Sequence, residues 1–195
     1  MLNKPIYVII AGSNGSGKST YYRTFKEFSF ELRGSIRINP DEILANQGSK
    51  WSDEQAQFQS GKTAVRMICD CIKSKVSFNQ ETTLSGNVTT HIRRIEKAKA
   101  NGFSVFLIYV GLSSVELAKQ RIAERVLKGG HGIPDEVVER RYKQSFSNLK
   151  EIIGYCDAVE IVDNNVDYDI VYSRERDKIK LNKLKNYPYL KNWTQ

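Results

Sequence analysis

The chain has 195 residues, 40% of them hydrophobic and 27% charged, a composition that supports one domain with a real core and excludes a disordered tail or a fibre. Its longest pure apolar runs, Ile6–Ala11 and Val105–Val110, are too short for a membrane span, which requires roughly 20 residues. The formal net charge is +8, and residues 173–195 hold seven Lys/Arg against two Asp/Glu, so most of the excess lies in that last segment.

A glycine-rich turn follows the first apolar run in place of a small-residue cleavage site, so no signal peptide and a cytoplasmic location are expected. The three cysteines, Cys69, Cys71 and Cys156, form no CxxC pair, and the two histidines lie far apart. This excludes a disulfide framework and a zinc ligand set and leaves free thiols.

In chain order, apolar β-type runs alternate with helical patterns, which predicts an α/β fold with a parallel sheet. Ile6–Ala11 reads as a strand buried on both faces, and Lys18 to about Phe28 as the helix after it. Ser35–Asn39 alternates as a half-buried strand. Asn39 and Pro40 then open a short helix, as cap and first helical residue. Ser52-Asp53-Glu54-Gln55 has capping-box spacing and starts a long helix to about Lys75. Val76–Gln80 is the expected third strand, Thr89–Asn101 a helix closed by Gly102, and Phe103–Val110 the fourth strand. Ser114–Lys128 is a helix stopped by Gly129-Gly130, and Pro134 to about Ile153 another, stopped by Gly154. Ala158–Val162 reads as the fifth strand, and Ile170–Tyr172 with Ile179–Leu181 as a hairpin. The expected organisation is one domain over residues 1–172, with a basic extension over 173–195 packed on it or trailing from it.

The strongest chemical signal is Gly12-Ser13-Asn14-Gly15-Ser16-Gly17-Lys18-Ser19-Thr20, a complete GxxxxGK[ST] phosphate loop between a strand and a helix. Glycines let successive N–H groups turn inward around a polyphosphate, and the helix N-terminus adds its positive dipole end. Lys18 is placed to reach the β- and γ-phosphates of ATP, and the Ser19 hydroxyl to complete a Mg²⁺ shell. A GTPase would add an NKxD guanine reader and a DxxG switch, and neither is present. A small kinase fits better.

Phosphoryl transfer needs a carboxylate for the acceptor's proton and cations for the transferring group. Ligands of parallel sheets bind beyond the carboxyl ends of the strands. There the second strand delivers Asp41 and the third Glu81, Thr82 and Thr83. Asp41 is the candidate base, although an acid in a first helical turn also serves the helix dipole. Glu81, Thr82 and Thr83 are candidates for binding the acceptor, and Glu81 also for holding Mg²⁺ through water. Arg121 and Arg125 share a helix face four residues apart, and Arg140 and Arg141 lie beyond a Gly129-Gly130-His131-Gly132 break. Such a pair of arginine-rich helices around a glycine hinge reads as a lid, with His131 as a loop contact or phosphate donor.

GSNGSGKST, NPDEI, ETTLSG and RIAERVLKGGHGIPDEVVERRYKQSFSNL occur in an order and spacing that resemble the zeta toxin family of P-loop kinases, over about residues 5–150. The resemblance implies an adenylate-kinase-like three-layer fold, a five-stranded parallel sheet flanked by helices with a helical lid. It implies ATP-dependent phosphorylation of a small-molecule hydroxyl, that of UDP-N-acetylglucosamine in characterised toxins, and a small antitoxin partner over the nucleotide site. By the same resemblance Lys18 and Ser19 bind ATP and Mg²⁺, and Asp41 activates the acceptor. Glu81 then contacts the acceptor, and Arg121 or Arg125 with a lid cation stabilises the transition state. Where the family carries a lid arginine before a proline, this sequence has His131.

Two other functions remain open on the sequence. The basic C-terminal segment, with Tyr187, Tyr189 and Trp193, suits a kinase of nucleosides or nucleic-acid ends, or an ATP-dependent nucleic-acid-binding protein without catalysis.

Overall fold

The computed structural model describes residues 4–193, with side chains described for residues 4–190. Among the described residues the strands are β1 (Ile6–Ala11), β2 (Ile36–Ile38), β3 (Phe78–Thr82), β4 (Ser104–Gly111), β5 (Ala158–Asp163), β6 (Asp169–Glu175) and β7 (Lys178–Asn182). They form one sheet in the order β2-β3-β1-β4-β5-β6-β7. The first five are parallel, and β6 and β7 join antiparallel. The helices are α1 (Lys18–Phe25), α2 (Pro40–Asn46), α3 (Glu54–Ser74), α4 (Val88–Ala100), α5 (Val115–Leu127) and α6 (Asp135–Ile152).

The continuous apolar runs of β1 and β4 follow from burial on both sheet faces. Tyr7, Ile9 and Ala11 point into one cluster with Ile68, Ile72, Ile95, Leu149 and Ile152, side chains from α3, α4 and α6. Val8 and Ile10 point into the other, against Tyr21 and Leu32 near α1. Each large apolar side chain so buried contributes about 1.5–3 kcal/mol relative to exposure. Two helical layers around one sheet is the three-layer arrangement expected. α5 and the N-terminal part of α6 share a small core of their own, made by Leu112, Ala118, Ile122 and Val138, while the C-terminal part of α6 packs on the sheet through Leu149 and Ile152. The two helices are tied together by Lys119, whose Nζ lies 2.6 Å from Glu139 and 3.3 Å from Asp135.

The sheet has seven strands, not five. The hairpin extends it because Val171 and Tyr172 bury against the main core, while Arg176 takes the left-handed conformation (φ 51°) that turns β6 into β7. The third strand starts two residues later than its apolar pattern suggests. Lys75 ends α3 in the left-handed region and the Val76 N–H donates to the Cys71 carbonyl, so Val76 belongs to the helix end. The cap of α3 is Asp53, whose side chain accepts from the Ala56 N–H, and Ser52 lies one residue outside. At α2 the expected cap is present: Asn39 Oδ1 accepts from the Asp41 N–H at 3.0 Å, with Pro40 as first helical residue.

β6 continues through residues 172 and 173, and Leu184 and Leu190 beyond it are buried in the main core. The Tyr187 hydroxyl donates to Asp169 at 2.7 Å and that of Tyr189 to Asp163, so both rings are docked. The Trp193 ring lies outside the described side chains. Among the described residues no helix is long and apolar enough to cross a membrane.

Candidate active site

β1 ends at Ala11 and α1 begins at Lys18, so residues 12–17 form the turn between them. At Gly12 (φ 146°) an added Cβ would lie 2.2 Å from the Val110 carbonyl oxygen, and at Gly17 (φ 92°) 2.4 Å from Asn164 Nδ2. Neither position admits a side chain, and neither backbone conformation suits an L residue. The loop is braced from outside by the turn after β5. Asn164 Nδ2 donates to the Ser16 carbonyl at 2.8 Å, and the Tyr168 hydroxyl to the Gly17 carbonyl at 2.8 Å.

Inside the loop, the Ser16 hydroxyl is buried with no hydrogen-bond partner among the described residues. Lys18 is also buried, its Nζ donating to the Ser13 carbonyl at 2.8 Å. Burial lowers the Lys18 pKa, while the carboxylates of Glu81 and Asp41 oppose that shift and favour the charged form. A narrow backbone cradle with an unpaired buried hydroxyl and a desolvated ammonium is a site built for an anion. The residues present fit a polyphosphate.

The acidic wall comes from β2, β3 and α2. The Ser19 hydroxyl donates to Glu81 Oε1 at 2.7 Å. Glu81 Oε2 accepts from Arg37, in an ion pair whose side chains are only 12% and 8% exposed. Arg37 also meets Glu42 at 3.0 Å and Asn79 at 3.2 Å and lies 3.9 Å above the Tyr22 ring. Ser19 and Glu81 thus bring hard oxygen donors together beside the phosphate loop. No group of three His, Cys, Asp or Glu able to hold a metal occurs among the described residues. Magnesium needs no such cage, since it takes one or two protein oxygens and fills its shell with phosphate and water. Ser19 and Glu81 fit it on those terms.

Asp41 is the second residue of α2, with its outer edge in solvent and its inner side against the cleft. Desolvation within the cleft and the negative Glu81 push its carboxyl pKa up, while Lys18, Arg125 and Arg141 pull it down; the rise wins. A carboxylate with a raised proton affinity, in the field of three cations, can take up a proton beside a phosphoryl group. Thr82 and Thr83 shape the adjoining loop: Thr82 Oγ1 accepts from the Leu84 N–H at 3.0 Å, and the Thr83 hydroxyl bonds Ser85 at 2.7 Å.

The two arginines of α5 diverge. Arg121 donates to the Asn165 carbonyl at 3.0 Å, on the side of the turn after β5. Arg125 donates twice, at 3.1 and 2.8 Å, to the His131 carbonyl, which ties the lid loop to the helix, and the Asp41 charge favours its protonated form. The His131 ring stacks on Trp51 with centroids 3.5 Å apart and an interplanar angle of 13°, closing the lid onto the α2–α3 loop. Burial and the Arg125 charge hold its pKa down at about 4, so the ring is neutral at physiological pH. From α6, Arg141 reaches Asn14 of the phosphate loop at 3.4 Å.

The phosphate loop with Lys18, Ser19, Asp41, Glu81 and Arg125 therefore converges at one end of the sheet, and Arg121 and the His131 ring are engaged at its margins. Sequence reasoning named Arg141 among the lid cations but did not single out Arg37, Trp51, Asn164 or Tyr168 as site residues. For Asn164 a signal existed, because it directly follows β5 at the carboxyl edge where ligands bind.

Residues 2–178 match the family model described as Zeta toxin. The chain is 39% identical over 142 residues to an uncharacterized protein of Haemophilus influenzae, covering 73% of this chain and 94% of that one. Among solved structures it is similar to the PezAT chromosomal toxin–antitoxin system of Streptococcus pneumoniae, with TM-score 0.61, 18% identity and coverage of 88% of this chain and 72% of that chain. It is also similar to AvrRxo1-ORF1:-ORF2 with ATP, at TM-score 0.74 and 17% identity, covering 98% of this chain but only 65% of that one, just under two thirds. Both likenesses are of fold.

Proposed function

The chain belongs to the zeta toxin family, and from that premise we propose that it is a Mg²⁺- and ATP-dependent kinase transferring the γ-phosphoryl group to an alcohol hydroxyl of a small molecule. The observation that carries this reading is the phosphate loop, with the buried Lys18 and the unpartnered Ser16 hydroxyl within it and Ser19 bonded to Glu81 beside it, and Asp41 in the field of Lys18, Arg125 and Arg141. The phosphate loop holds the polyphosphate through its N–H groups and Lys18. Asp41 accepts the proton of the acceptor hydroxyl as the new O–P bond forms, and the bond to the β–γ bridging oxygen breaks, leaving its electrons on ADP. Arg125 and Arg141 stabilise the charge spread over the transferring group. Magnesium held near Ser19 and Glu81 supplies neutralisation of phosphate charge.

For the acceptor we propose a sugar nucleotide of the UDP-N-acetylglucosamine type, in line with the family. For a partner we propose a small antitoxin, since a toxin–antitoxin system is among the similar structures. Engagement of the Tyr187 and Tyr189 hydroxyls by Asp169 and Asp163 weighs against those rings serving as stacking platforms for nucleic acid. The test is ADP release from Mg²⁺-ATP with a panel of UDP-sugars, nucleosides and RNA 5′ ends. Stimulation by a UDP-sugar, with phosphate recovered on it, is expected. Stimulation by RNA ends alone would replace the acceptor, and ATP binding without any stimulation across the panel would overturn the kinase reading.

A further inference from the structure

Tyr189 lies beyond residues 2–178, the stretch that the family model matches. Its ring packs on the end of β4, so that a Cβ on Gly111 would sit 3.2 Å from its hydroxyl, and it meets Phe146 edge-on at 6.2 Å. The hydroxyl donates to Asp163 Oδ1. Asp163 is the last residue of β5 and only 6% exposed. The same carboxylate accepts from the Asn165 N–H at 3.1 Å and the Asn165 side chain at 2.6 Å. It thereby sets the turn that carries Asn164 and Tyr168.

Those two residues hold the outward carbonyls of Ser16 and Gly17. In a trans peptide the C=O and the following N–H point in opposite directions. Pinning these carbonyls outward therefore aims the N–H groups of Gly17 and Lys18 into the loop. We propose that Tyr189 is a positioning residue for the phosphate loop, acting through Asp163 and the Asn164–Tyr168 turn, so that the C-terminal segment is part of the nucleotide site's support. This rests on the reading of residues 12–19 as the phosphate site for ATP.

The experiment is calorimetric titration of Mg²⁺-ATP into the full chain, wild type and Tyr189→Phe, well below the melting temperature of each. Phe keeps the packed ring and removes only the hydrogen bond. The expected result is ATP binding weakened about three- to tenfold, a fraction of what losing a hydrogen bond to a charged group can cost. KM for ATP should rise by the same factor, with kcat at saturating ATP little changed. Tyr189→Phe added to Asp163→Ala should weaken binding no further than Asp163→Ala alone, because both act through one contact. An unchanged ATP affinity in Tyr189→Phe, with or without a lower melting temperature, would overturn the inference and leave the nucleotide site standing. Additive losses would equally overturn it. Failure of the wild type to bind ATP would overturn the nucleotide reading itself, and this inference with it.

Discussion

Glu81→Gln removes a charge from the acidic wall while keeping the side chain's shape. Its Arg37 partner is only 12% exposed, so the guanidinium cannot turn to bulk water for compensation. Removing one member of a buried pair costs about 3–5 kcal/mol. Arg37 retains Glu42 at 3.0 Å and Asn79 at 3.2 Å, which lowers the expected loss to about 2–3 kcal/mol. In a domain of this size each kcal/mol moves the melting temperature by about 2–4 °C, so scanning calorimetry should show a fall of about 4–12 °C in all. Added salt should change the fall little, since the pair is shielded from mobile ions. A fall under about 1 °C, or one that salt abolishes, would refute the burial argument.

Gly17→Ala and Gly102→Ala both force a side chain to positive φ, but only the first drives a Cβ into Asn164, at 2.4 Å. Both should lose stability, and Gly17→Ala alone should lose ATP affinity in calorimetric titration. In a Trp193→Phe background, Trp51 emission should stay flat from pH 8 to 5 and change only as pH falls toward about 4, the value for His131. A transition centred on the ordinary histidine value of 6.5 would contradict the stacked, shielded ring. The folded-state pKa of Asp41 is raised above its ordinary 3.8. The unfolded chain therefore releases that proton first, and the residue lowers stability progressively as pH rises through the folded value. Asp41→Asn should accordingly melt higher than wild type at pH 7, with the gap closing below pH 3.8; no gap at pH 7 would contradict the raised value.

Much of this site is legible from local pattern. The phosphate loop is a contiguous motif, and the runs Ile6–Ala11 and Val105–Val110 mark the central strands that point it outward. Asp41 and Glu81 follow from the rule that strand ends carry the chemistry. Trp51 does not, and although Arg141 belongs to the lid read from the sequence, its reach to Asn14 is set by packing between parts of the chain distant in sequence. Packing likewise decides that Arg125 bonds the His131 carbonyl while Arg121, one turn earlier, bonds that of Asn165. The role of Arg37 is hidden for the same reason, since its partner Glu81 lies on a neighbouring strand. The late start of β3 depends on the left-handed Lys75, a conformation that its side chain does not announce. The docking of Tyr187 and Tyr189 is likewise set by acids on another part of the chain.

The most direct test of the account compares Asp41→Asn with wild type on the acceptor that stimulates ADP release, measuring kcat and, separately, the dissociation constant for Mg²⁺-ATP. A general base contributes about 10²–10⁴ in rate, so kcat should fall within that range. ATP binding should stay within about threefold, because the contribution of Asp41 is made at the acceptor hydroxyl. Full turnover by Asp41→Asn would place the base elsewhere and contradict the mechanism. Loss of ATP affinity in parallel with kcat would make Asp41 a residue of the nucleotide site instead.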